Sequence, residues 1–240
     1  MTLPAVFRRV AYEEVGSTNA EALRLAEAGA PEFTYVTTRR QSAGRGRRGK
    51  SWVSPEGKLY GTIVLRPDRP PAVISQLSFV AALAVGDLLD RLGVQGTIGF
   101  KWPNDVLVEG SKICGILLEG GQGHLVAGIG VNIAHFPPDT PYGATSVAAK
   151  GGRADLDAAT DGLAVAFLER YRLWLEEGFR PVREAWLARA IGLGREIKVT
   201  FREGDTDSGV FSALDESGAL VLTRGGASRM ITAGEIFFAA

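Results

Sequence analysis

The alternation of apolar and polar residues divides most of the chain into a mixture of helices and strands. Apolar residues recur with helical spacing over residues 72–92, 156–177 and 181–190. A further helix is predicted to open at Ser17-Thr18-Asn19, with Gly29 as its stop. Short apolar runs bounded by turn residues predict strands at residues 34–41, 59–66, 97–102, 105–108, 113–118 and 124–133.

The last 50 residues or so have a different pattern. After Gly192-Leu193-Gly194 the sequence predicts four short strands separated by polar, glycine-containing turns. These strands are residues 196–201, 210–214, 220–223 and 229–238. We therefore expect two domains, residues 1–191 and residues 192–240, the second a small SH3-like β-barrel. In the first domain, short turns join the central strands into hairpins, which favours an α+β fold with a mixed sheet packed with helices over a doubly wound parallel sheet.

Composition and charge exclude several classes of function. Apolar residues make up 45% and charged residues 22%, as in a globular chain with a sizeable core. Lys+Arg and Asp+Glu both number 27, so the basic excess typical of nucleic-acid and anionic-membrane binders is missing. The single cysteine, Cys114, predicts a reducing compartment and excludes a multi-cysteine zinc site. No apolar run reaches about 18 residues, and the N-terminus lacks a secretory signal core, so we expect a cytoplasmic protein without a membrane span.

A loop rich in glycine and cations, residues 44–50, is the first candidate for chemistry. Its glycines allow close backbone approach to a ligand, and its guanidinium groups match phosphate or carboxylate. A solvated loop and a nucleic-acid patch are the alternatives. Residues 44–51 also fit the P-loop pattern G-x-x-x-x-G-K-[ST], but residues 52–55 do not continue a helix as a P-loop requires.

Three further segments carry polar residues at strand ends. Lys101-Trp102-Pro103-Asn104-Asp105 presents Asp105 at a turn, although an ordinary β-turn would use the same residues. Lys112, one of only six lysines, stands at the mouth of an apolar strand and is followed by Gly115. Asn132 ends another strand, where it could read a base edge or, alternatively, pair with backbone.

Taken in order, these segments resemble biotin–protein ligases of the short form that lacks an N-terminal DNA-binding domain. The matching segments are Ser17-Thr18-Asn19 and residues 41–52, 101–105, 112–116 and 128–132. The resemblance implies the class II aminoacyl-tRNA synthetase/biotin ligase-like fold. It also implies an ATP-dependent ligase that activates biotin as biotinyl-5′-AMP and transfers it to a lysine of a biotin carboxyl carrier protein. Because 16 residues precede Ser17, we expect no repressor activity.

The resemblance also implies residue roles. Catalysis is expected from Lys112, Arg45, Arg47 and Asp105. Asp105 would orient the acceptor amine or accept its proton; alternatively, it only caps the turn. Biotin binding is expected from Ser17, Thr18, Asn19, Gln41, Arg45, Gly46, Arg47, Lys112 and Gly115. ATP binding is expected from Arg47, Trp52, Asn104 and Asn132, with Trp52 covering the adenine and Mg²⁺ on the phosphates. The sequence does not identify the Mg²⁺ ligands, and Cys114, His124 and His135 are predicted to be structural.

Two other functions remain open on the same residues. A transferase of lipoyl or octanoyl groups would share the fold, although its family looks unlike the G-R-G-R-x-G loop combined with K-W-P-N-D. A nucleic-acid-binding protein would use residues 45–50 and the C-terminal barrel, and we expect no such binding. Lys50 also departs from the arginine that biotin ligases often carry there, a point charge in place of a planar fork. An exposed edge of the central sheet leaves a homodimer open.

Overall fold

The structure is a computed structural model that describes residues 1–121, 123–138, 143–201 and 204–238. The last two residues of the predicted second domain, 239 and 240, lie outside it. In chain order, the elements are β1 Arg8–Val15, α1 Thr18–Glu27, β2 Thr34–Gln41, β3 Leu59–Leu65, α2 Pro71–Ile74, α3 Leu77–Arg91, β4 Ile98–Lys101, β5 Asp105–Val108, β6 Ser111–Gly121, β7 His124–Val131, α4 Leu156–Glu177, α5 Phe179–Leu187, β8 Glu196–Thr200, β9 Thr206–Leu214, β10 Leu220–Arg224, β11 Ala227–Ile231 and β12 Glu235–Phe238.

A seven-stranded mixed sheet, in the order β1-β2-β3-β7-β6-β5-β4, forms the centre of the molecule. β1 runs parallel to β2 through the α1 crossover, and every other pairing in this sheet is antiparallel. The hairpins predicted from β4 to β7 are therefore confirmed. The two faces of the sheet are covered by different helices, because successive side chains of a strand point to opposite faces.

Alternation along β2 and β3 assigns the two faces. Val36 and Val64 pack beneath α1 together with Ala22 and Ala26. Tyr35, on the opposite face, belongs to the large core that includes α3 and α4. The described residues therefore form three layers, and α1 is the helix among them that packs on the face with the candidate site.

α3 is a core helix, with eleven of its fifteen residues buried. An 18-residue window within Ala72–Arg91 has a mean hydropathy of 1.8, which would be long and apolar enough for a membrane span by length and composition alone. Within the fold, 67% of that window is buried, as in the core helix of a globular protein. The predicted continuous helix 72–92 is also divided, because α2 ends at Ile74 and Gln76 bonds the Glu216 carbonyl and Trp174.

The second sheet is a five-stranded antiparallel one in the order β11-β10-β9-β8-β12. The predicted strand 229–238 is in fact two strands, separated by residues 232–234. The Trp102 indole N–H donates to the Gly218 carbonyl at 3.1 Å, and Phe211 belongs to the same core as Phe100. The two sheets thus share one continuous core. The division between residues 191 and 192 stays a prediction.

Candidate active site

A cavity of about 420 Å³ opens on the α1 face of the mixed sheet. The start of α1, the glycine-rich loop, the β4–β5 turn, β6, β7 and the start of β12 surround it. All predicted site residues except Asn132 line it: Ser17, Thr18, Asn19, Gln41, Arg45, Gly46, Arg47, Trp52, Asn104, Asp105, Lys112 and Gly115. Six parts of the chain, from the start of α1 to the start of β12, therefore converge on one space.

One end of the cavity is built from neutral hydrogen-bonding groups at the start of α1. Ser17 is the N-cap, and its hydroxyl accepts from the Ala20 N–H, so the helix opens at the predicted Ser17-Thr18-Asn19 segment. Gln41 Oε1 accepts from the Thr18 N–H at 2.8 Å, and Gln41 Nε2 donates to Ser54 Oγ at 3.0 Å. These contacts fix the Gln41 amide at the end of β2.

Asn19 is held from several sides at the same end. Its Nδ2 donates to the Glu119 carboxylate at 2.8 Å and to the Leu117 carbonyl at 3.2 Å. Its Oδ1 accepts from Thr62 Oγ1 at 2.8 Å. Gly128 of β7 lies directly beneath, where a Cβ atom would collide with the Asn19 amide. Glycine at position 128 is therefore a steric requirement of this arrangement.

The glycine-rich loop is folded as a short irregular hairpin. The Gly46 N–H donates to the Lys50 carbonyl at 2.7 Å, and the Trp52 N–H donates to the Gly44 carbonyl at 2.9 Å. Between them the chain turns through positive φ angles at Arg48 (58°) and Gly49 (75°). This hairpin directs Arg45 and Arg47 into the cavity.

Arg47 is the more buried of these two arginines. Its Nη1 donates to Asn104 Oδ1 at 3.3 Å, while Asn104 Nδ2 donates to the Ile116 carbonyl at 2.7 Å. Burial lowers the pKa of the Arg47 guanidinium, and the neighbouring charge of Arg48 adds to that shift. Asn104 thus ties the loop to β6 at the point where the β5–β6 pairing ends.

Trp52 lies against the sheet between two glycines. A Cβ atom at Gly130 would approach the indole to 2.8 Å, and one at Gly115 would approach it to 3.1 Å. The Lys112 ammonium is 5.3 Å from the ring centroid, within cation–π range. Both glycines therefore make room for the indole, whose role toward adenine stays a prediction.

The other end of the cavity is charged. Lys112 Nζ lies 2.7 Å from Asp105 Oδ1, and Lys50 Nζ lies 2.8 Å from Glu235 Oε2. Lys101, only 4% exposed, also lines the cavity, and its ammonium is 5.6 Å from the Phe237 ring centroid. Burial lowers the pKa of Lys101, while the negative charges of Asp105 and Glu235 oppose that shift. Cations at this end are thus partly neutralised by nearby carboxylates.

Asn132 is placed differently from the other predicted residues. It is 1% exposed, and its Nδ2 donates to the Thr145 carbonyl at 2.9 Å and to the Lys112 carbonyl at 3.5 Å. Among the described residues, its Oδ1 has no hydrogen-bond partner. The arrangement matches the backbone-pairing alternative that the sequence left open, and contact with a nucleotide stays a prediction.

Several cavity residues were missed from the sequence. Lys101 belongs to the K-W-P-N-D segment. It is one of only six lysines in the chain, and this scarcity could have marked it as a candidate. Glu235 and Lys58 carry no local signal, because only the tertiary structure brings them to the cavity. Cys114 is fully buried, and desolvation raises the pKa of its thiol, in agreement with the predicted packing role. Over the described ranges, no cluster of three His, Cys, Asp or Glu side chains that could hold a metal ion occurs.

Comparison with known proteins places this geometry in a family. Residues 13–134 match the model of the Biotin/lipoate A/B protein ligase family, and residues 192–239 match that of the Biotin protein ligase C terminal domain. A biotin--[acetyl-CoA-carboxylase] ligase from Paracoccus denitrificans is 46% identical over 236 residues, covering 92% of this chain and 97% of that protein. One from Mycobacterium tuberculosis is 31% identical, covering 93% of this chain and 86% of its own length.

Solved structures agree with the sequence comparison. Biotin protein ligase from Aquifex aeolicus in complex with biotin and ATP superposes with a TM-score of 0.83 at 27% identity, covering 96% of this chain and 97% of that one. The predicted α+β fold, with its mixed sheet and small C-terminal β-domain, is confirmed.

Proposed function

Because this chain belongs to the Biotin/lipoate A/B protein ligase family, we propose that it is a biotin–protein ligase that uses ATP. It activates biotin as biotinyl-5′-AMP and transfers the biotinyl group to a lysine of a biotin carboxyl carrier protein. The cavity supports this function most strongly, because neutral hydrogen-bonding groups occupy one end and cations occupy the other. Such a division suits an uncharged ureido ring joined by an aliphatic chain to a carboxylate.

In the first half-reaction, a carboxylate oxygen of biotin attacks the α-phosphorus of ATP. A C–O–P anhydride forms. The bond between the α-phosphorus and the oxygen that bridges the α- and β-phosphates breaks, and pyrophosphate leaves. Two anions must meet, so their repulsion has to be screened by nearby cations. Arg45, Arg47 and Lys112 supply that screen, while Ser17, Thr18, Asn19 and Gln41 hold the ring.

In the second half-reaction, the acceptor lysine amine attacks the acyl carbon and AMP leaves. The ammonium has a reference pKa near 10.4, so a proton must be lost before or during attack. Asp105 is assigned to orient the amine or to accept this proton. The hairpin of residues 44–52 covers the anhydride and excludes water, which would otherwise hydrolyse it.

Mg²⁺ is a further expectation from the chemistry of ATP. Mg²⁺ in such sites takes one or two protein carboxylates together with substrate phosphates. The two carboxylates that line the charged end, Asp105 and Glu235, are each engaged in an ion pair with a lysine, so the proposal leaves the ion on the ATP phosphates. When bound, the ion would neutralise phosphate charge.

The direct test is biotin-dependent exchange of labelled pyrophosphate into ATP. We expect exchange with biotin and none with lipoate. Exchange with lipoate alone would favour the lipoyl-type transferase instead. An absence of exchange, together with tight oligonucleotide binding that weakens steeply with salt, would favour a nucleic-acid-binding protein.

Three further properties are proposed with the activity. The acceptor is the carrier protein of acetyl-CoA carboxylase, to be tested by transfer of labelled biotin to that purified protein. The location is cytoplasmic, in keeping with one buried, unpaired cysteine. A homodimer is to be tested by sedimentation with and without biotin and ATP.

A further inference from the structure

Glu119 is a β6 carboxylate that contacts two segments of the cavity, the start of α1 and the glycine-rich loop, without lining the cavity itself. One oxygen, Oε2, accepts from Asn19 Nδ2 at 2.8 Å and from Arg45 Nη2 at 3.3 Å. Asn19 belongs to the start of α1 and Arg45 to the glycine-rich loop, and both line the cavity. A single carboxylate thus contacts one donor from each of these two segments.

The Asn19 side of this contact is rigid. Nδ2 carries two N–H groups, and Glu119 and the Leu117 carbonyl accept from them. Asn19 is 4% exposed, and its amide fills the space that a Cβ atom at Gly128 would occupy. The amide orientation is therefore fixed by acceptors that cannot act as donors, and Glu119 is one of them.

The Arg45 side is adaptable. The Arg45 side chain is 45% exposed and the Glu119 side chain 27%, so solvent weakens the ion pair. A guanidinium has five N–H donors, and contact through Nη2 leaves others for a bound anion. Glu119 can therefore orient Arg45 while Arg45 binds substrate.

We propose that Glu119 is a positioning residue that holds Arg45 and Asn19 in the arrangement that binds biotin. This inference rests on the proposed function and deepens it, because it adds a residue that acts on biotin through two others. Its charge acts on Arg45, and its capacity to accept a hydrogen bond acts on Asn19. The two actions can be separated by substitution.

The experiment compares Glu119→Gln with Glu119→Ala in biotin-dependent pyrophosphate exchange. Glutamine keeps an oxygen acceptor for Asn19 but loses the charge, so we expect the KM for biotin to rise about 3- to 10-fold with kcat within about twofold. Alanine removes both contacts, so we expect a further severalfold rise in KM. In an Arg45→Ala background, Glu119→Gln should change KM by less than about twofold, because its effect passes through Arg45.

Glu169→Gln is the matched control. Glu169 also pairs with an arginine, Arg91, at 2.6 Å, but on helices away from the cavity, so its KM and kcat should equal those of the wild type. A wild-type KM for Glu119→Gln would overturn the inference. So would an equal effect of Glu119→Gln with and without Arg45, or a lowered melting temperature with unchanged KM.

The wild-type measurement separates this inference from the function on which it depends. If the wild-type enzyme shows no biotin-dependent exchange, the proposed function fails and Glu119 has no biotin to position. If the wild type exchanges and Glu119→Gln behaves identically, only the positioning role is lost.

Discussion

The two ends of the cavity are built on different principles. At the α1 end, Ser17, Thr18 and Asn19 are 4–6% exposed and are held by neutral or charge-assisted hydrogen bonds within the mixed sheet and its helix. At the other end, the Lys112 and Lys50 side chains are 28% and 63% exposed. Their carboxylate partners, Asp105 and Glu235, come from β5 and β12.

This difference determines what each end can do. Buried hydrogen-bonding groups keep one geometry, because leaving any of them unpaired is costly. Half-exposed ion pairs are weak and can exchange partners when a substrate anion arrives. The neutral end therefore suits recognition of a fixed ring, and the charged end suits a reaction in which charge moves from reactant to leaving group.

The strongest way to break the charged end is Lys112→Ala. Removing one preorganised cation from the reacting groups should reduce pyrophosphate exchange by about 100-fold or more, with the fold intact. Stability should change little, because the ion pair with Asp105 is partly exposed. Melting temperature and exchange rate are measured together. Lys198→Ala, an exposed lysine on β8, is the control, and full exchange activity in Lys112→Ala would contradict the charge assignment.

The neutral end is tested by Gly128→Ala. The added methyl collides with the Asn19 amide, so we expect about 1–3 kcal/mol of destabilisation. We also expect a rise of about tenfold in the KM for biotin, because one displaced polar group leaves its partners unpaired. Thermal unfolding and exchange kinetics measure both. Gly16→Ala is the control and should match the wild type, because no heavy atom lies within 4 Å of the new methyl. If Gly128→Ala also matched the wild type, the neutral end would not be rigid.

Arg47→Gly tests whether the loop retains the intermediate. The change removes the contact with Asn104 that ties the loop to β6, so we expect release of biotinyl-5′-AMP to accelerate by about tenfold. Rapid filtration of the enzyme with labelled adenylate measures the release rate. Arg47→Lys keeps the charge but loses the planar fork and should lie between the two. Release no faster than in the wild type would argue against a covering role.

The smallest effect is expected where the loop meets β12. Glu235→Gln removes the partner of Lys50, an exposed pair, so exchange should slow by no more than about threefold. The wild type should lose part of its activity with added salt, and the variant should be less sensitive. Asp207→Asn, which breaks an ion pair with Arg229 elsewhere in the second sheet, is the control. A much larger loss in Glu235→Gln would show that the charged end is less adaptable than proposed.

Much of the architecture follows from the local pattern. Residues 34–41, 105–108 and 156–177 form the predicted elements with the predicted bounds, because each combines a clear period with clear end signals. β1 was missed, since its sequence RRVAYEEV is polar and it is held at the sheet edge by parallel pairing with β2. Local sequence contains little information about such a tertiary contact.

The candidate site shows the same contrast between residues that local motifs predict and residues that only tertiary contacts bring in. Motif residues such as Lys112 and Gln41 could be predicted to lie at the cavity, because both belong to segments that resemble those of biotin–protein ligases. Glu119 and Glu235 could not, because each acts through a partner 74 or 185 positions away. Asn132 shows the converse. It belongs to a motif, yet its amide donates to the Thr145 carbonyl and it does not line the cavity.

The glycine-rich hairpin concentrates Arg45, Arg47, Arg48 and Lys50 within six residues, and the last two reach across to the second sheet through the Thr200 carbonyl and Glu235. Every one of these side chains marks a bond that trypsin can cleave. Limited digestion therefore gives a direct measure of how firmly this segment is closed. Substrates that tighten it should protect those bonds, and a shortened or unmatched ligand should leave them open to the protease.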